Sequence, residues 1–385
     1  MEIRGQIPTA GLDDGVVTVD DGVITSVTAA SGGRASAGPA GDASGAVILP
    51  GLIDIHCHGG GGHVFTTSDP GEARAAAAHH AARGTTRVMA SLVTAAAETL
   101  LAQVEALAPL VASGELLGIH LEGPFLSSAR CGAQSPEFII DPDPALAARL
   151  LEAADGAIRS VTLAPERPGA REVSRVFADA GVTVALGHTD ASYEVMAAGL
   201  AELPGAGLVT HLANGMAPLH HRAAGPPAAA LVAAAAGQAS VELICDGVHT
   251  DAGFARLVFA AAAPGRVVLI TDAMAAAGMP DGEYDLGPQR VRVSGGVARL
   301  APSGPGAAGG AIAGGTSSLI EVVATARAAG IPLAAAAAAA SASPARALRL
   351  PEGTGTLAPG TPADLVVADE RLRPRRVLRG GRWLE

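Results

Sequence analysis

Lysine does not occur in this 385-residue chain, and all 26 of its basic residues are arginines. The protein therefore has no lysine for a Schiff base, for a phosphate-binding loop, or for the carboxylated side chain that can bridge two metal ions. Cysteine is also scarce, because Cys57, Cys131 and Cys245 form an odd, widely spaced set. Such a set does not build a disulfide framework and favours a reducing compartment, the cytoplasm.

The charge balance and the short apolar runs limit the partners of the chain. The formal net charge of −11 argues against binding to nucleic acid or to an anionic membrane surface. No apolar run reaches the ~18 residues that a membrane-spanning helix needs. The first residues lack the charged-then-apolar layout of a signal peptide. We therefore expect a cytoplasmic protein whose partner is a small molecule.

The middle of the chain alternates apolar β-like runs with alanine-rich helical runs, such as residues 71–83, 96–112, 170–180 and 253–263. The β-like runs cover residues 51–56, 86–93, 115–121, 158–164, 182–187, 207–210, 240–245 and 266–271. Eight such units predict an α/β fold with a (β/α)8 TIM-like barrel over residues 51–355. A doubly wound sheet is the alternative, but no G-x-G-x-x-G follows the first run.

Both chain ends have the pattern of β-strands instead. Residues 16–19 and 23–27 alternate apolar and polar side chains around Asp20-Asp21-Gly22, which predicts a hairpin. Residues 363–367 and 376–381 also have strand character. We predict a small β-sandwich domain built from residues 1–50 together with residues 356–385.

Six of the eight runs end in histidine or a carboxylate, and five of these six ends carry histidine. The residues concerned are His56, His58, His120, Glu122, His188, His211, Asp246, His249 and Asp272. In a parallel barrel the carboxyl ends of the strands meet at one mouth, which is where active sites lie. The sequence therefore predicts a cluster of metal ligands at this mouth.

His56 and His58 are two residues apart, a spacing that puts both imidazoles on one face of a strand and suits a divalent metal such as zinc. Two metals close together need an anion between them to offset their repulsion. Because the chain has no lysine to carboxylate, Glu122 is the candidate bridge, and His188 and His211 complete the second metal.

Asp272 ends an apolar strand and is the candidate general base and acid. A carboxylate beside a metal-activated water can take its proton and return that proton to a leaving group. Alternatively, Asp272 could cap the helix of the next segment. An isolated buried histidine usually has a structural role, and this role is expected for His120. The remaining histidines are expected to be solvated or to support the ligands from behind; they include His63, His79, His80 and His220.

Because of these residues, the chain resembles the amidohydrolase superfamily, and more closely its N-acetylglucosamine-6-phosphate deacetylase family. The resemblance covers nearly the whole chain. Its motifs lie at residues 49–59, 120–125, 186–189, 210–216, 246–249, 271–273 and 360–365. The Leu-Glu-Gly-Pro and Thr-His-Leu-x-Asn-x-Met segments are the most specific of these.

The resemblance implies metal-dependent hydrolysis of N-acetyl-D-glucosamine 6-phosphate to D-glucosamine 6-phosphate and acetate. It implies that Glu122, His188 and His211 hold one metal, while the pair His56 and His58 holds a second with Glu122 and Asp272. Asp272 matches the general base and acid. Zinc is the expected metal, and iron, manganese or cobalt would accept the same ligands.

The resemblance also implies a substrate site and a homodimer or a dimer of dimers. The residues that match the substrate site are Gln134, Asn214, Gly215, Arg222, His249, Ala311, Ile312 and Ala313. Arg222 matches a phosphate-binding arginine that reaches across the dimer interface. Gln134 is a departure, since many members carry histidine at that point of the loop that covers the site.

Two alternatives remain open at this stage. The chain could be an amidohydrolase that acts on another N-acyl or cyclic amide substrate, although the absence of lysine disfavours the branches with a carboxylated lysine. It could also be a non-catalytic scaffold that kept the barrel. Loss of metal ligands is typical of such scaffolds, and here the ligand set is complete.

Overall fold

The computed structural model describes residues 1–30, 45–302 and 310–384. The chain starts with strands β1 (Glu2–Ile7), β2 (Leu12–Asp20), β3 (Val23–Ala29) and β4 (Val47–Pro50). The predicted hairpin between β2 and β3 is confirmed. Asp21 and Gly22 at its turn have φ of 44° and 77°, the left-handed backbone that a two-residue hairpin turn requires.

Eight parallel strands form the barrel, and each overlaps one of the predicted runs. They are β5 (Leu52–Asp54), β8 (Thr85–Val93), β9 (Gly118–Glu122), β10 (Ile158–Leu163), β11 (Thr183–Leu186), β12 (Gly207–Val209), β13 (Ala239–Leu243) and β14 (Val267–Leu269). Neighbours in the sheet follow the order of the chain. Beyond β5 and β14 the barrel closes, because the Asp272 backbone N–H donates to the His56 carbonyl at 2.9 Å.

In the described part of the chain, seven α-helices connect successive barrel strands and three more follow the last of these strands. They are α1 (Pro70–Ala81), α2 (Ala97–Ala112), α3 (Pro144–Ala154), α4 (Ala170–Asp179), α5 (Tyr193–Glu202), α6 (Gly225–Ala235), α7 (Ala252–Ala261), α8 (Leu319–Ala328), α9 (Leu333–Ala339) and α10 (Ala342–Ala347). A large apolar cluster fills the layer between strands and helices, and a smaller one that includes Ile53, Met89 and Val268 fills the barrel. Within the described residues, no helix is long and apolar enough to cross a membrane.

Two small sheets near the mouth have no counterpart in the predicted pattern. A two-stranded hairpin follows β5, with strands β6 (Gly59–Gly60) and β7 (His63–Val64). A three-stranded antiparallel sheet follows β14, with strands β15 (Gly282–Leu286), β16 (Gln289–Ser294) and β17 (Val297–Leu300). The second sheet lies over its own apolar cluster, which includes Met274 and Val291.

The last strands are β18 (Leu365–Ala368), β19 (Pro374–Arg379) and β20 (Arg382–Trp383), and they join the first four strands. The seven strands form one sheet in the order β20-β19-β18-β4-β1-β2-β3. Among the described residues its two halves meet at a single pairing, Gln6 with Val47, and share one apolar cluster. The fold class is thus confirmed, with a barrel and an additional unit from both chain ends. The domain limits of 50/51 and 355/356 stay a prediction.

Candidate active site

The predicted ligands leave their strands at the barrel mouth, several of them on unusual backbone. Glu122 is the last residue of β9, and His188 and His211 each lie two residues beyond a strand. His188, His211 and Asp272 have φ of 46°, 25° and 48°. Left-handed backbone is rare for residues other than glycine and tends to occur at functional sites, where the surrounding structure holds it in place.

The Glu122 carboxylate lies among four imidazole rings. Its Oε1 is 3.4 Å from His56 Nε2, 3.1 Å from His188 Nε2 and 2.9 Å from His211 Nε2. Its Oε2 is 3.1 Å from His58 Nε2. Glu122 itself is only 2% exposed. The structure therefore places Glu122 between the two predicted groups of ligands, where a shared carboxylate would lie.

Asp272 completes the cluster from beyond the end of the eighth barrel strand, next to the segment that carries His56. Its Oδ1 lies 3.2 Å from His58 Nε2 and 3.5 Å from His56 Nε2. Two sets of donor atoms, each with its members within 4.8 Å of one another, have the spacing for a metal ion. They are His56, His58 and Asp272, and His56, Glu122 and His211.

The electrostatics of the cluster favour a cation. Burial alone would raise the pKa of Glu122, but the imidazoles around it outweigh burial and hold that pKa well below its usual value. Burial alone would lower the pKa of His58, yet Asp272 and Glu122 raise it to about 9. The negative charge that stabilises a proton on His58 would also stabilise a divalent metal, whose binding would displace that proton.

The imidazoles are also turned correctly for metal binding. Three of the four rings donate Nδ1–H to the protein, which leaves Nε2 directed at the cluster, as metal ligation requires. The acceptors are Glu242 Oε2 at 3.0 Å for His56, the Ser91 carbonyl at 3.0 Å for His58 and the Arg130 carbonyl at 2.8 Å for His188. His56 Nε2 is buried and has no hydrogen-bond partner among the described residues, so the site fits a metal ion.

Glu242 contacts two of the predicted ligands, and the sequence did not single it out. It lies in β13 and is 2% exposed. Its Oε2 accepts from His56 Nδ1 and also from the His211 backbone N–H at 3.1 Å. One carboxylate therefore orients two ligand residues. A charged residue inside an otherwise apolar strand is the signal that could have found it.

A cleft of about 240 Å³ opens above the ligands. Most of the predicted substrate residues line it, namely Gln134, Asn214, Gly215, His249, Ala311 and Ile312. Two do not. Ala313 is fully buried in the apolar cluster beneath the inserted sheet, and Arg222 lies on the exposed loop beside His221, with Nη1 2.7 Å from His221 Nε2.

His249 is held by a neighbouring carboxylate. Its Nδ1 donates to Asp246 Oδ2 at 2.7 Å, and Asp246 Oδ1 accepts from the His249 backbone N–H. Burial alone would lower the pKa of His249, but Asp246 outweighs burial and raises it. His249 therefore presents its Nε2 edge toward the cleft from a fixed position and carries a proton to higher pH than an ordinary histidine does.

Other histidines have partners that account for them structurally. His120 contacts Ser91 Oγ at 3.0 Å and Thr162 Oγ1 at 2.8 Å, so both of its ring nitrogens are engaged. His80 is buried and donates to the Gly59 carbonyl at 2.8 Å, directly behind the ligand segment. Neither ring joins the groups of donors that could hold a metal.

Fold and site together define a metal-dependent hydrolase built on a (β/α)8 barrel. The chain belongs to the amidohydrolase family, whose family model matches residues 47–384. Several of its relatives are named as deacetylases of amino-sugar phosphates.

Three comparisons illustrate the relationship. The N-acetylglucosamine-6-phosphate deacetylase of Bacillus subtilis is 37% identical over 75% of this chain and 74% of its own length. The N-acetylgalactosamine-6-phosphate deacetylase of Escherichia coli O157:H7 is 33% identical over 86% of each chain. A mutant of the N-acetyl-D-glucosamine-6-phosphate deacetylase of Mycobacterium smegmatis, solved in complex with N-acetyl-D-glucosamine 6-phosphate, superposes with a TM-score of 0.90. It is 39% identical, and the match covers 100% of this chain and 98% of the other.

The position of Glu242 leads to a prediction about metal retention. Glu242→Gln keeps the size of the side chain but removes the charge that fixes Nδ1–H on His56. Loss of such a supporting contact weakens metal binding by about 10–100-fold. Competition with a chelator would measure the effect, with Glu105→Gln on the exposed face of α2 as the control. Equal metal affinity in Glu242→Gln and the control would rule out this role.

Proposed function

We propose that this protein hydrolyses the acetamide bond of N-acetyl-D-glucosamine 6-phosphate and releases D-glucosamine 6-phosphate and acetate. The arrangement of Glu122, shared by four imidazoles with Asp272 beside them at an open cleft, carries the proposal. This substrate is favoured because two of the relatives carry it in their names and one was solved with it bound.

The proposed cofactor is a pair of divalent metal ions, with zinc preferred because imidazole and carboxylate donors suit it. Glu122 with His188 and His211 would hold one ion, and His56 and His58 with Glu122 and Asp272 would hold the other. When bound, such ions acidify water and polarise an amide carbonyl. Proton transfer and substrate binding are assigned to side chains of this protein.

Asp272 is proposed as the proton carrier of the reaction. Burial alone would raise the pKa of Asp272, but contact with His58 and His56 outweighs burial and lowers it to about 2. Asp272 is therefore ionised at neutral pH and can accept the proton of the attacking water. It then returns this proton to the nitrogen of the leaving amine, so the sugar departs as an amine and acetate is left.

His249 is proposed to steady the oxygen of the scissile amide. Because Asp246 holds Nδ1, the Nε2 edge of His249 remains for the substrate, and the raised pKa favours an Nε2–H donor. Negative charge develops on the amide oxygen during attack, and a positioned donor stabilises this charge most in the transition state.

The phosphate group is proposed to bind between two subunits. Asn214 and Gly215 line the cleft of their own chain, whereas Arg222 is exposed and lies outside it. Arg222 would therefore complete the phosphate site of a partner subunit in a homodimer or a dimer of dimers. A forked guanidinium is well suited to a phosphate. The cytoplasm is the proposed location, and Cys57, Cys131 and Cys245 are all unpaired.

The 4-epimer of the sugar phosphate is a second candidate substrate, because one of the relatives is named for N-acetylgalactosamine 6-phosphate. Both sugars carry the same acetamide and the same phosphate, so the metal ligands, Asp272 and Arg222 would serve either. Acetate release from each epimer, compared as kcat/KM, decides between them.

Metal-loaded protein should release acetate from N-acetylglucosamine 6-phosphate, and chelated protein should not. Elemental analysis of the reloaded protein should give two ions per chain, since the two ligand groups share Glu122. N-acetylglucosamine without phosphate serves as the control substrate and should react far more slowly. No acetate release at any metal loading would refute the proposed reaction. A stoichiometry that never exceeds one would refute the second ion alone.

Asp272→Asn should lower kcat by about 10²–10⁴-fold, the usual contribution of general acid–base catalysis. The variant keeps the size of the side chain but cannot accept a proton. Substrate should still bind, and the ion at Glu122, His188 and His211 should be retained, which elemental analysis checks. If kcat stays above about a tenth of the wild-type value, another residue moves the proton.

Arg222→Ala should raise KM for the phosphorylated sugar by about tenfold to a hundredfold, because a charge-assisted contact is worth ~1.5–3 kcal/mol. The bare sugar should be almost unaffected, and Arg149→Ala on the surface of α3 is the matched control. Mixing Arg222→Ala with Asp272→Asn subunits should restore part of the activity if the site is shared. Equal effects on both sugars would exclude a phosphate role, and verified mixed dimers without restored activity would exclude sharing.

A further inference from the structure

The segment between β9 and α3 crosses the barrel mouth and contacts two of the ligand residues. The Arg130 carbonyl accepts from His188 Nδ1 at 2.8 Å, and the Arg130 side chain is tied to Asp190 at 2.7 Å. Four residues further on, Gln134 Nε2 donates to Glu122 Oε2 at 2.6 Å. This segment therefore supports the ligands as well as covering the cleft.

The amide of Gln134 is fixed in one orientation by its partners. Its Oε1 accepts from the Thr94 backbone N–H at 2.8 Å, and its Nε2 faces the carboxylate of Glu122. A backbone N–H only donates and an ionised carboxylate only accepts, so the reversed amide would lose both hydrogen bonds. Gln134 is 5% exposed, which makes unpaired polar atoms at this position costly.

This contact determines how Glu122 is turned. Oε1 of Glu122 faces His188 and His211, with His56 slightly further away, whereas Oε2 faces His58 and Gln134. Rotation of the carboxylate about its last bond would move both oxygens away from these partners. A short hydrogen bond from a fixed donor to Oε2 opposes that rotation, and it keeps Oε1 toward His188 and His211 and Oε2 toward His58.

We propose that Gln134 is a positioning residue that holds Glu122 in its shared orientation and so couples the segment over the mouth to metal binding. This inference rests on the proposed metal-dependent function. It differs from the sequence expectation that Gln134 contacts the sugar, because Oε1 and one N–H of Nε2 already bind protein groups.

The test uses Gln134→Met, which keeps the length of the side chain and removes the donor. Its metal affinity should fall by about 10–100-fold in competition with a chelator, the usual effect of losing a group that orients a ligand. At saturating metal, kcat should fall while KM for the sugar phosphate changes little. Metal affinity is measured without substrate, so it tests this inference even if the proposed reaction is wrong.

Gln103→Met is the matched control. Gln103 is also a buried glutamine, but it lies on α2, away from the cleft, and its Oε1 has no partner among the described residues. Gln134→Leu removes the same donor with a different shape, and it replaces Gln134→Met if the latter does not fold. Wild-type metal affinity in these Gln134 variants, with a raised KM, would overturn the proposal in favour of a sugar contact. An equal loss of affinity in Gln103→Met would overturn it as well.

Discussion

Glu122 is a buried carboxylate within hydrogen-bonding or ion-pairing reach of four imidazoles, and the geometry of the mouth depends on that one charge. A buried carboxylate is strongly unfavourable unless opposite charge or hydrogen bonds surround it. Here the compensating groups come from the ends of separate strands, which only a closed barrel brings together. The fold thus brings together the groups that stabilise this charge, and the same arrangement has the donors and the charge to hold a cation.

A second group of contacts holds the imidazoles in place. Glu242 orients His56 from inside the barrel, and the Arg130 carbonyl orients His188 from the segment above the mouth. Three of the strand-end residues also keep left-handed backbone, which costs about 1–3 kcal/mol at each such position. Hydrogen bonds between elements that are distant in sequence are therefore needed to keep these residues in their places.

The strand ends were predictable because they obey a local rule. An apolar run that stops at histidine or a carboxylate marks the mouth, and the structure brings His56, Glu122 and His211 together there. The contacts of Glu242 and Gln134 were not predictable, because each depends on the rotation of a side chain across the barrel. The sheet over residues 282–300 was missed for another reason: its apolar side chains alternate with charged ones over short stretches, and the helix–strand alternation of the barrel does not include it.

Because the chain has no lysine, a carboxylate shared between the two ligand groups has to come from another residue, and Glu122 has the position for it. A carboxylated lysine can bridge two metal ions, but it requires a lysine and a chemical modification of its side chain, and this chain has no lysine. Glu122 carries a permanent carboxylate on a shorter side chain, so the strand that bears it must approach the ligands closely. β9 achieves this because Glu122 is its last residue, and Gln134 and the surrounding imidazoles then fix the direction of both oxygens. A shared carboxylate at this position therefore needs no chemical modification after folding.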